Sequence, residues 1–99
     1  MMGRNMVNDS DNAMNFSLRA LAWLAGNDDL FPTFLGTTGA SVEDARNNAA
    51  DLNFLASVLD FILMDDAWVI ACCDALGRPY ADLGQMRQHL PGGDLPNWT

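Results

Sequence analysis

Two adjacent thiols, Cys72 and Cys73, a single histidine, His89, and the aspartate pairs Asp28-Asp29 and Asp65-Asp66 are the residues here best suited to chemistry. A cysteine nucleophile needs a base or a cationic neighbour to hold it as thiolate. Both cysteines fall instead in an apolar run with Trp68, Val69 and Leu76, surroundings that raise a thiol pKa. A disulfide between chain neighbours would distort the peptide that joins them, so the expectation is two reduced, buried thiols of an intracellular protein. His89 falls near the end of the last expected helix, where the helix dipole favours its charged form and a capping or surface role. The aspartates, with Asp60 nearby, have the ligand type of an oxygen-rich metal site. They lack the alternating ligands, central glycine and closing glutamate of a calcium loop, and helix N-caps call for the same residue type. The sequence also has no glycine-rich phosphate loop, serine nucleophile elbow or zinc spacing. The reading is of a non-catalytic protein that needs neither metal nor cofactor.

Helices must position these residues, because no segment shows the strict alternation or clustered β-branched residues of a strand. The expected fold is all-α: one compact domain of five to six short helices over residues 12–91, between flexible tails at 1–11 and 92–99. The first helix runs over 13–25, capped by Asp11 or Asn12 and stopped by Gly26. Asp29 caps a second that begins at Leu30, with Pro32 in its first turn and Phe31, Phe34 and Leu35 inward, and Gly39 is its left-handed stop. Ser41 to Asp44 reads as a capping box for a short polar helix over 42–49. Asp51 opens the helix over 52–64, apolar almost all round except for the narrow stripe Asn53-Ser57-Asp60, which makes it the buried central one. Asp65 caps a fifth, ended by Gly77, and Pro79 starts a sixth with Tyr80, Leu83, Met86 and Leu90 along one side.

A shift of 38 residues aligns Phe16 with Phe54, Leu21 with Leu59, Gly39 with Gly77 and Asp44 with Asp82 without a gap. The expectation is two degenerate three-helix units packed around the central helix, since a unit this short cannot bury its own apolar face.

Thirteen acidic residues against five arginines give a net charge of −8, which repels nucleic acid and anionic membrane surfaces. No apolar run reaches membrane-spanning length and the start lacks a secretory h-region, so the expected address is the cytoplasm. With chemistry missing and aromatic residues in surplus, the expected function is a helical protein-protein interaction module that binds a partner or itself. The alternative is a small-molecule or metal-binding domain with a pocket beside the central helix, where Asn53, Ser57 and Asp60 would supply polar contacts. Arg46, on the short polar helix, and Trp98, beside Pro96, are the other candidate contact residues.

The run Ala-Leu-Ala-Trp-Leu-Ala at 20–25, Phe34-Leu35 followed by Thr38-Gly39, Phe54-Leu55 with Val58-Leu59-Asp60-Phe61, Asp65-Asp66 and Leu90-Pro91-Gly92-Gly93 together resemble a known family. It is the group of small alphaproteobacterial proteins called domain of unknown function 3572. The resemblance covers Leu18 to Gly93 and implies a shared helical fold; it carries over no catalytic residues. Where relatives often place proline after the cap that matches Asp51, this chain has Leu52, which leaves that helix start less rigidly defined.

Overall fold

A helix that is apolar around most of its circumference has to be covered on several sides, and the remaining helices are arranged to do so. The computed structural model describes residues 9–92. In chain order they form α1 (Asp9–Ala25), α2 (Leu30–Thr38), α3 (Val42–Asn47), α4 (Leu52–Leu63), α5 (Asp66–Leu76) and α6 (Ala81–Gln88), with no strand among them. The all-α expectation is met. α4 is the expected centre: Leu55, Ala56, Val58, Leu59, Phe61 and Ile62 are buried, and α1, α2, α5 and α6 all pack against it. Its C-terminal end departs from expectation, since the helix stops at Leu63, and Leu63 and Met64 are exposed.

Aromatic contacts tie α2, α4 and α5 together. Phe34, fully buried, meets the rings of Phe54 and Phe61 edge-on at centroid separations of 5.9 and 5.4 Å. Phe61 in turn stacks on Trp68 at 4.8 Å. Edge-to-face and offset contacts of this kind suit the ring quadrupole and add to the area each ring buries.

Helix termini follow local chemistry. The Asp51 carboxylate accepts from the N–H groups of Asn53 and Phe54, and Asp65 from that of Ala67. Ser41 and Asp44 form the reciprocal capping box. At α2 the cap differs from expectation: Asp29 makes no side-chain cap bond, and Asn27 Oδ1 accepts from the N–H groups of Asp29 and Leu30 instead. The backbone of Asp29 is already helical, so its side chain cannot fold back onto the first turn, whereas Asn27 lies far enough upstream to do so. α1 begins at Asp9, inside the segment expected as tail. α6 begins at Ala81, and Tyr80, expected on the apolar side, is exposed with its hydroxyl donating to Asp74 at 2.8 Å. Arg19 donates to the Leu76 carbonyl at 2.9 Å, so α1 supplies a cation to the C-terminal end of α5.

Burial repeats at only part of the 38-residue register: Phe16, Ala56, Phe61, Cys73 and Leu90 face half-buried partners, and buried Ala13 faces exposed Asp51. Ser17, Ala20, Leu21, Leu24, Phe34 and Ala45 pair with Leu55, Val58, Leu59, Ile62, Cys72 and Leu83, and all of them are buried. Ser17 is the polar member, its hydroxyl satisfied by the Ala13 carbonyl at 2.6 Å. Packing of the third helices differs: α6 lies against both α1 and α4, while α3 packs closely on no other helix.

The two glycine stops give a test of opposite sign from a helical glycine. Gly77 has φ +71° and open space around an added Cβ, so Gly77→Ala should lower stability by about 1–2 kcal/mol through backbone strain alone. Gly36 lies inside α2, also with open space, and Gly36→Ala should raise stability by about 0.5–1 kcal/mol. Urea denaturation of both variants measures the contrast.

Candidate functional site

The weak packing of α3 leaves a cleft on the first half of the molecule. Leu21 and Ala25 of α1, Phe31 of α2, Val42, Ala45 and Arg46 of α3, and Ala49 line a space of about 310 Å³. The register explains why it is there. Ala45 stands where the second half has Leu83, a side chain that is fully buried. A methyl group in place of an isobutyl group, on a helix held less closely, leaves the volume open. Val42, at its edge, is 53% exposed, which keeps an apolar wall in contact with solvent.

Arg46 is the one charged group in the lining. Among the described residues it is also the arginine that makes no hydrogen bond, ion pair or ring contact. Arg78 bridges Asp82 at 2.7 Å and lies over the Phe16 ring at 5.3 Å. Arg87 holds Asp60 through two bonds of 2.6 and 3.1 Å and reaches the Pro91 carbonyl at 2.9 Å.

The polar stripe on α4 lies outside that cleft. Ser57 donates to the Phe54 carbonyl at 2.6 Å, Asp60 is taken by Arg87, and Asn53 is exposed. None of the three lines the cleft, which lies on α1, α2 and α3 and not beside the central helix. Arg87, which pairs with Asp60, lies 27 residues away in sequence, beyond the reach of helix periodicity. Of the contact residues expected from sequence, Arg46 is in the cleft and Trp98 lies outside the described residues. Leu21, Ala45 and Ala49 were not anticipated; the signal that could have found them is the small residue at 45 opposite a leucine in the register.

Near the start of α6, Tyr80 donates to Asp74 and Arg78 pairs with Asp82, all within electrostatic reach of the buried Cys73. Among the described residues no three His, Cys, Asp or Glu side chains come together as a metal site would require. His89 is exposed and forms the C-terminal cap position of α6. Cys72 and Cys73 are free thiols, fully buried. Burial, and secondarily the neighbouring Cys73, pushes the Cys72 thiol from 9.0 up to about 12. Cys73 is also raised, by burial first and then by Asp82 and Asp74. Both are therefore protonated at neutral pH and poorly nucleophilic.

This has a measurable pH consequence. The folded chain keeps the Cys72 proton up to about 12 while an unfolded thiol releases it near 9, so the associated stability is complete below pH 9 and is lost as pH rises towards 12. Denaturant midpoints should fall from pH 8 to pH 10.5 more steeply for the native chain than for Cys72→Ala, whose own stability is lower throughout. Aromatic disulfide reagents should label neither cysteine in the folded protein and both after unfolding.

No curated protein and no solved structure matches the chain. No described helix is long and apolar enough to cross a membrane. The model of the family described as "Protein of unknown function (DUF3572)" matches residues 10–93, which takes in all the helices that build the core and the cleft. The chain belongs to that family.

Proposed function

We propose that this domain is a non-catalytic interaction module whose contact face for a protein partner is the cleft between α1, α2 and α3. One observation carries the reading: the cleft is apolar throughout except for Arg46, the described arginine without an intramolecular partner. Interfaces place an apolar anchor in a pocket and surround it with a few polar contacts, and this cleft offers both parts. Its edge is formed by a short helix that adds one buried residue, Ala45, to the molecule, so a docked segment displaces little of the domain's own packing. Cys72 and Cys73, the candidate nucleophiles, are buried with their thiols raised towards the protonated form, which turns the reading away from catalysis.

Two substitutions test it without touching the core around α4. Ala45→Leu puts into the cleft the side chain that fills the matching place in the second half, and Val42→Glu sets a charge on its exposed wall. Val42→Glu should keep the native melting temperature to within a few degrees, and Ala45→Leu should keep or raise it, gaining at most about 2 kcal/mol from added burial. Both should lose a partner that the native chain retains in affinity capture. A partner held equally by all three proteins, or a native chain that stays monomeric and retains none, would overturn the proposal.

A further inference from the structure

We infer that the segment docked in the cleft is a peptide of a partner protein that sets a carboxylate beside its apolar anchor, the anchor against Leu21 and Phe31 and the carboxylate on Arg46. The inference rests on the reading of the cleft as the contact face and adds the chemistry of what occupies it.

Charge complementarity carries it. Arg19, Arg78 and Arg87 each have an acceptor within the chain: the Leu76 carbonyl, Asp82 and Asp60. Arg46 has none, although Glu43 and Asp44 precede it on the same short helix. Asp44 is committed to its capping box, accepting from the Ser41 N–H at 3.0 Å. An arginine beside an apolar wall presents a planar fork that fits a carboxylate with two parallel bonds. A lysine or arginine of the partner at that place would meet a like charge, and a neutral side chain would leave the fork to water. The net charge of −8 opposes an acidic group at long range, but salt screens that field beyond ~8 Å at physiological ionic strength, and the direct contact with Arg46 then decides. Elsewhere the same acidic surface favours a partner that is basic outside the docked segment.

Blocked dipeptides are the probes: acetyl-Phe-Glu-amide, its isostere acetyl-Phe-Gln-amide, and acetyl-Phe-Lys-amide, titrated into the isotope-labelled full chain at physiological salt. Amide shifts of Leu21, Ala45 and Ala49 report occupancy. The Glu peptide should bind about three- to tenfold tighter than the Gln peptide. Arg46→Gln should bring the Glu peptide down to the level of the Gln peptide and leave the latter unchanged, and Ala45→Leu should weaken both together. Equal affinities for Glu and Gln peptides, or tightest binding of the Lys peptide, would overturn the carboxylate while leaving the cleft as contact face. No shift with any of the three would overturn the contact face itself.

Discussion

The burial of α4 is the constraint from which the rest of the molecule follows. With Leu55, Val58, Leu59 and Ile62 all fully removed from solvent, the helix needs neighbours on more than one side, and α1, α2, α5 and α6 supply them. Each buried leucine or isoleucine contributes about 1.5–3 kcal/mol against leaving it in water, which is large beside the net stability of a domain this size. The short caps and glycine stops serve that packing: they set where each helix ends, so that the next can turn back onto α4.

Covering α4 does not require the two halves to be equally tight. Leu83 is buried where α6 packs onto α1 and α4, and the Asp60–Arg87 pair fastens the end of that helix to the central one. In the first half Ala45 takes the matching place and nothing comparable fastens α3. The cleft is the structural result of that one difference in side-chain size. It falls beside α3, the helix that packs least on the others, where an open apolar surface costs the fold least.

Charge is distributed in the same uneven way. The acidic residues cap helix starts, where the dipole favours them, and three of the described arginines are spent on fastening helix ends or pairing nearby carboxylates. Arg46 has no such structural duty. In a chain that carries −8 overall, a cation without a structural partner at the rim of an apolar cleft is the feature that the fold itself does not explain.

By itself the sequence determined the helices, most of their caps, both left-handed glycine stops and the identity of the central helix. All of these are local or periodic: a capping box closes within four residues, an apolar helix face repeats every turn, and a positive φ selects glycine where it stands. Tertiary structure decided what depends on residues far apart in the chain. It decided that Asp60 pairs with Arg87, and that Tyr80, Leu63 and Met64 look outward. It also decided that the polar stripe on α4 stays out of the cleft, which lies under α3. Periodicity tells which face of a helix is apolar; it does not tell how near the next helix comes. That distance is set by the size of the side chains that meet, and at Ala45 it leaves a gap.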